Sequence, residues 1–275
     1  MQTPPSRFNT VLIVSLALSF GIGGWGIIAP QEMTDVCLGI TGYALKSLDW
    51  FFLTMCTGFL ILSVFLAFGP YGHLKLGADD DEPEFSTPSW LAMLFAGGMG
   101  AGLMFWGAAE PMYHYYSPPG GEGLTPAAAR AAMVITNLHW GLHAWSIYAV
   151  CALVIAYFGF RKGEPALIST PIRHAFGGKG GRQVTFWCNT ADIIGVLAVI
   201  FGLAGSLTMG ILQVRSGLTE VFGTPDTHTV SIIILALMTV TFLLSASTGV
   251  DKGIKILSNI NIRTYALTSI VWCGR

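Results

Sequence analysis

Charge is what this sequence has least of. Of 275 residues, 11% are Asp, Glu, Lys or Arg, against roughly 25% in an ordinary soluble domain, while 53% are hydrophobic and the mean hydropathy is +0.63. A water-soluble globular domain and a disordered chain are both excluded by that balance. Charge of one sign is also missing. The formal net charge of −1 offers no basic surface for nucleic acid, and the longest acidic run, Asp79 to Glu84, is short enough to be a solvated loop. Cysteine is sparse and scattered: Cys37, Cys56, Cys151, Cys188 and Cys273 include no CxxC pair, which speaks against a disulfide framework or a zinc site.

The few charges are clustered, and this fixes the class. Uncharged windows run over 8–31, 50–74, 85–109, 131–160, 193–214 and 227–250, each at least 22 residues long. A helix needs about 20 apolar residues to cross a bilayer core. Lipid offers no partner to backbone N–H and C=O groups, so the windows are expected to be helices. Stretches such as 231–244, SIIILALMTVTFLL, lack the apolar/polar alternation of a barrel strand. A seventh window, 264–274, reaches spanning length only if the span starts near Ile254 and takes in Arg263. The chain is expected to end inside that helix. The apolar run near the N-terminus exceeds the 7–15 residues of a signal-peptide core, so it reads as a retained first span.

Positive charge between the windows sets the orientation. With the N-terminus in the cytoplasm, the inside segments hold Arg7, Lys75, Arg161, Lys162, Arg173, Lys179, Arg182, Lys252 and Lys255, nine residues against Lys46, Arg130 and Arg215 outside. The 161–188 connection carries Pro165, Pro171 and a glycine run around Lys179; it reads as a cytoplasmic loop with a short helical piece, without the strand-then-helix context of a phosphate loop. The stretch from Pro111 to Pro126 contains Pro118-Pro119-Gly120-Gly121 and is the turn-rich place for the third span to end.

Three spans carry candidate chemistry. The third, 92–110, places Gly97, Gly98, Gly100 and Gly102 near its middle, where each glycine costs roughly 1 kcal/mol relative to alanine. Either Gly98 and Gly102 form a GxxxG packing face, or the helix is unwound at the membrane midplane and its freed carbonyls face an ion or a solute. In the fourth, Trp140, Tyr148 and Trp145 fall at about 0°, 80° and 140° around a helix. They are either an interfacial aromatic belt or the walls of a cage for a quaternary ammonium group, attracted to ring faces by cation–π interaction. His139 and His143, four apart, suggest a metal pair and hence a membrane-embedded metalloenzyme as an alternative, although the sequence between them lacks the glutamate of HExxH. Otherwise they are structural. Glu110 and Asp192 sit at span ends, where solvent is at hand. In the fifth span Ser206 and Thr208 lie among small residues, as packing hydroxyls or ion ligands.

Two runs are specific enough to suggest a family: Gly98-Met99-Gly100-Ala101-Gly102-Leu103-Met104-Phe105-Trp106-Gly107-Ala108-Ala109-Glu110-Pro111, and His139-Trp140-Gly141-Leu142-His143-Ala144-Trp145. With Leu212-Gln213, Ser216-Gly217-Leu218, Gly253-Ile254-Lys255 and Leu257-Ser258-Asn259-Ile260-Asn261, the sequence resembles the betaine/carnitine/choline transporter family. The resemblance implies an all-α polytopic membrane protein with a LeuT-like inverted-repeat fold, here incomplete with six to seven transmembrane helices. Residues 1–88 supply two peripheral helices and a cytoplasmic loop, and 89–275 most of the first repeat. It implies secondary active transport of a quaternary-ammonium compatible solute (glycine betaine, choline or carnitine) at the inner membrane, no cofactor beyond sodium as coupling ion, no enzymatic activity, and a homotrimer. Trp140, Trp145 and Tyr148 match the aromatic box. Gly98, Met99, Gly100 and Gly102 lie beside the solute, and the carbonyls of Ala96 and Met99 match a sodium site. Gly102, where proton-coupled choline members tend to carry aspartate, is similar to the sodium-coupled betaine type. Gly205-Ser206 replaces a frequent Thr-Ser pair, so Ser206, with Thr208 nearby, stands for a second sodium site. The elements expected to complete both sites lie in a second half, which makes the chain a truncated transporter, a remnant, or a half that needs a second chain.

Overall fold

The computed structural model describes residues 9–98, 100–178, 180–248, 253 and 255–273. Among them every regular element is helical. Helix α1 spans Thr10–Ile28, α2 Pro30–Phe68, α3 Thr87–Gly98, α4 Ala101–Tyr116, α5 Pro126–His139, α6 Leu142–Ala156, α7 Ser169–Ala175, α8 Arg182–Phe222, α9 His228–Ser247 and α10 Lys255–Cys273. A π-helical turn, Tyr157–Arg161, extends α6.

Local chemistry explains the boundaries. Asn9 caps α1 by accepting a hydrogen bond from the Leu12 N–H at 2.8 Å, the usual role of asparagine at that position. Pro30 opens α2, where its missing N–H costs nothing. Pro111 lies inside α4 and does not end it; the helix runs on to Tyr116. The turn that follows uses left-handed backbone at Gly120 (φ 96°) and Gly121 (φ 89°), which glycine adopts without steric cost. The third span therefore ends later than its first proline suggests. Helix α7 is the short helical piece expected in the basic connection.

Among the described residues, five segments are long and apolar enough to cross a membrane: Thr10–Ile28, Pro30–Phe68, Pro126–Arg161, Arg182–Phe222 and His228–Ser247. The spans differ from the uncharged windows in instructive ways. Helix α2 starts twenty residues before the window at 50 and, at 39 residues, is roughly 58 Å long at 1.5 Å per residue, so it projects beyond a 30 Å core. Window 85–109 is not one helix but two, α3 and α4. Helix α10 begins at Lys255 and takes in Arg263, but it is not among the five membrane-crossing segments.

The chain forms two compact units, Met1–Asp81 with Asn137–Phe201, and Glu82–Thr136 with Gly202–Arg275. In the first, α2 packs along α6, and α1 on α2. The Ser146 hydroxyl, 4% exposed, donates to the His143 carbonyl at 2.6 Å and lies 3.4 Å from the Cys56 carbonyl of α2. In the second unit α10 packs along α3, where Ala92 is 1% exposed, and Lys255 sits over the Phe85 ring. The spans bury little of themselves: none of the most apolar window of α2 is buried within the protein. Apolar surface on that scale needs lipid or further helices to cover it. Threonines in the spans donate back to the carbonyl four residues earlier, as Thr54 to Trp50 (2.6 Å) and Thr57 to Leu53 (2.8 Å), so these hydroxyls need no water.

Candidate functional site

The glycine cluster of the third window breaks the helix. Helix α3 stops at Gly98, Gly100 is extended (φ −78°, ψ 179°), and α4 starts at Ala101. Met99, expected to touch solute and to offer a carbonyl to sodium, lies outside the described residues. Ala96 lies in the last turn of α3, where carbonyls have no donor within the helix. Gly98 and Gly102 consequently belong to different helices and do not form a GxxxG face. Space is open beside Gly100, and a methyl group placed on Gly102 would stand 3.6 Å from Ser206 Oγ and Met209 Cε. Gly102 of α4 thus faces Ser206 of α8.

Ser206 and Thr208 are not brought together. They are two positions apart, roughly 200° around the helix. Ser206 is half-buried against Gly102, whereas the exposed Thr208 donates to the Ala204 carbonyl at 2.9 Å.

The fourth span is also interrupted, at Trp140–Gly141, between α5 and α6. Gly141 is extended (φ −89°, ψ −154°), and a Cβ there would run into the Asn137 carbonyl, so the break needs glycine. Two sequence expectations change with it. The angular positions of the three aromatics assumed an unbroken helix, and Trp140 is not on α6. Nor do His139 and His143 share a helical face: His139 ends α5 and His143 lies in the first turn of α6. What the structure does assemble is an aromatic pair. The Trp145 and Tyr148 rings lie 5.7 Å apart, tilted by 41°. Trp140 joins them through its backbone, its carbonyl accepting a hydrogen bond from the Trp145 indole N–H at 3.0 Å. Tyr148 is 69% exposed and Trp145 40%.

Sequence reasoning missed the polar network at the other end of this unit. Asp192, read as a solvated span end, accepts hydrogen bonds from both the backbone N–H (3.0 Å) and the hydroxyl (2.7 Å) of Ser169. Ser169 is 1% exposed and Thr170 6%; the Thr170 hydroxyl donates to the Pro165 carbonyl at 2.6 Å. The 23-residue separation of Ser169 and Asp192 leaves no local signature in the sequence. The acidic run is likewise organised: Arg161 donates to Asp79 (2.6 Å) and the Gly77 carbonyl (2.8 Å), and Lys75 to the carbonyls of Asp79 and Asp81. The Arg161 guanidinium holds the Asp79 carboxyl below the usual carboxylate range. Glu110 is 8% exposed, 3.5 Å from His114 on the next turn, and so is not a solvated end.

Long apolar helices, one membrane-crossing segment interrupted at Gly141 and a further helix pair interrupted at Gly98–Gly100, define a polytopic helical membrane protein. Family comparison is specific: the family model described as BCCT, betaine/carnitine/choline family transporter, matches residues 10–273. The chain belongs to this family, which places it among transporters and not enzymes. It is 43% identical over 257 residues to the glycine betaine transporter OpuD of Bacillus subtilis (strain 168), covering 93% of this chain and 50% of that protein. Over 256 residues it is 40% identical to an ectoine/hydroxyectoine transporter of Virgibacillus pantothenticus (92% and 50%), and over 261 residues 37% identical to the betaine/ectoine transporter LcoP of Corynebacterium glutamicum (92% and 40%). The chain spans about half the length of the curated relatives it matches.

Proposed function

We propose that this chain contributes one half of a secondary active transporter for a quaternary-ammonium compatible solute of the glycine betaine type. The observation that carries the reading is the Trp145–Tyr148 pair, exposed and tied to Trp140 at a break within a membrane-crossing segment. Ring faces attract a trimethylammonium group that has shed its water, worth about 2 kcal/mol or more. The B. subtilis and C. glutamicum relatives are named for betaine, which supports the same chemical class. The solute's ammonium group sits against Trp140, Trp145 and Tyr148. By family resemblance Gly98, Met99, Gly100 and Gly102 are proposed to contribute backbone to the solute site, and no side chain crowds Gly100.

Sodium is the proposed coupling ion. A hard cation takes oxygen ligands, and the Ala96 carbonyl and the Ser206 hydroxyl are of that kind; Met99 is the further carbonyl. Thr208 reaches such a site only if α8 turns or unwinds locally. The remaining ligands, and the rest of the cage, belong to helices outside the 275 residues, in one polypeptide or in a second chain. The proposal includes a LeuT-like inverted-repeat architecture, a cytoplasmic N-terminus supported by the nine-to-three distribution of positive charge, and assembly as a homotrimer in the inner membrane. Transport follows from one helical bundle rocking against another around a midplane site.

The test is co-expression with the C-terminal half of the B. subtilis relative in a bacterium lacking osmolyte transporters, grown at high osmolarity with glycine betaine. Growth rescue that requires both halves and is lost with Trp140→Leu is expected. Rescue indifferent to Trp140, or absent although both halves reach the membrane, overturns the reading.

A further inference from the structure

The Trp140–Gly141 break poses a problem that the side chain at position 145 solves. Trp140 and Gly141 lie between α5 and α6, and backbone groups at such a break need partners that, inside a membrane, water does not supply. Trp145 supplies two donors to two consecutive carbonyls there: its backbone N–H to Gly141 (3.3 Å) and its indole N–H to Trp140 (3.0 Å). Of phenylalanine, tyrosine and tryptophan, only tryptophan carries a ring N–H; phenylalanine has no donor, and tyrosine places its hydroxyl at the far end of a single ring. Its partner in the aromatic pair, Tyr148, follows within one turn on α6.

Resting on the solute reading above, we propose that Trp145 is the positioning residue of the site. Its indole N–H pins the carbonyl of Trp140, fixes the geometry of the break, and so sets the Trp140 ring against the Trp145–Tyr148 pair. Trp145 therefore has two separable roles, a ring face for the ammonium group and a hydrogen bond that holds another wall in place. The second role explains why position 145 holds tryptophan and not another aromatic residue. The glycine at 141 constrains the break independently of the indole, since a Cβ there would run into the Asn137 carbonyl. Loss of the indole bond is therefore expected to change the orientation of Trp140 and to leave the break in place.

The two roles are separated by replacing Trp145 with β-(3-benzothienyl)alanine, which keeps the fused ring and puts sulfur where the N–H was. The first measurement needs no ligand. In the 275-residue chain, labelled with 15N at the indoles and reconstituted in lipid nanodiscs, the Trp145 resonance, identified by its loss in Trp145→Phe, is expected to exchange with deuterium at least tenfold more slowly than an exposed indole. The Trp140 resonance is expected to move in both variants. An indole at 145 that exchanges like an exposed one, or a Trp140 signal unmoved by either variant, overturns the proposal. The second measurement is glycine betaine affinity in the co-expressed two-half assembly. The benzothienyl variant and Trp145→Phe are each expected to weaken binding about tenfold, and Trp145→Leu further, because it also removes a ring face. A benzothienyl variant with wild-type affinity overturns the positioning role. No betaine binding by the wild type, with the Trp145 indole still protected, sinks the solute reading and leaves the pin standing.

Discussion

Replacing Asp192 with alanine should release the connection between α6 and α8. Asp192 gives one carboxylate oxygen to the backbone N–H of Ser169 and the other to its hydroxyl, at 3.0 and 2.7 Å. Hydrogen bonds to a charged partner contribute about 1.5–3 kcal/mol each, and a buried donor left without an acceptor costs about 1–3 kcal/mol. Ser169 is 1% exposed, so neither donor finds water without local opening. The two bonds share one side chain and are not additive, which puts the loss at about 2–5 kcal/mol. At 1.4 kcal/mol per tenfold, amide exchange across residues 163–178 should accelerate by roughly 30-fold to a few thousand-fold. The assay is hydrogen–deuterium exchange in nanodiscs, with tryptic cleavage at Arg173 as a second readout. Asp192→Asn, which keeps one acceptor, should fall between wild type and alanine. Unchanged exchange in Asp192→Ala would refute the reasoning, because the network would then not hold the segment.

The Asp79 carboxyl is held below the usual range, so the folded state binds its proton less readily than the unfolded chain does. The tether to Arg161 is therefore complete above the ordinary carboxylate pKa of about 4 and is lost as pH falls through the lower folded value. The protection factor of residues 77–81, which removes the intrinsic pH dependence of amide exchange, should hold down to pH 5 and fall only in stronger acid, and Asp79→Asn should lower it and make it pH-independent. Gly102→Ala should be tolerated, its methyl meeting Ser206 Oγ and Met209 Cε at 3.6 Å, while Gly102→Leu should overpack the seam and cost about 1–3 kcal/mol, seen as a lower Tm in detergent. Trp140→Leu should weaken glycine betaine uptake by an order of magnitude or more in the two-half assembly, with membrane insertion unchanged by immunoblot.

What the sequence displays, and what it conceals, divides along a physical line. Spans are legible because exclusion of charge from lipid acts residue by residue; thus 193–214 falls within α8, and α9 falls within 227–250. Length is less legible. Helix α2 continues through Glu32, Asp35, Lys46 and Asp49 because a helix may project past the lipid into water, where charges are free to sit. The breaks were only half visible: four glycines announced the one at Gly98–Ala101, but a lone Gly141 between His139 and Leu142 looked like an ordinary helical position, and the angular map of Trp140, Trp145 and Tyr148 failed there. The Ser169–Asp192 bonds were invisible, since they depend on how the chain returns to itself 23 residues later. Ser206 and Thr208 show the same limit: close spacing in sequence placed them on opposite sides of one helix.

The central claim is that the aromatic site recognises the positive charge of a quaternary ammonium group and not merely its bulk. The direct measurement compares glycine betaine with 3,3-dimethylbutanoate, its neutral-headed carbon isostere, as competitors of radiolabelled glycine betaine uptake into proteoliposomes holding the two-half assembly under an inward sodium gradient. With about 2 kcal/mol or more from the ring faces, the isostere should compete at least about 30-fold more weakly. Equal competition by the two compounds would contradict the account.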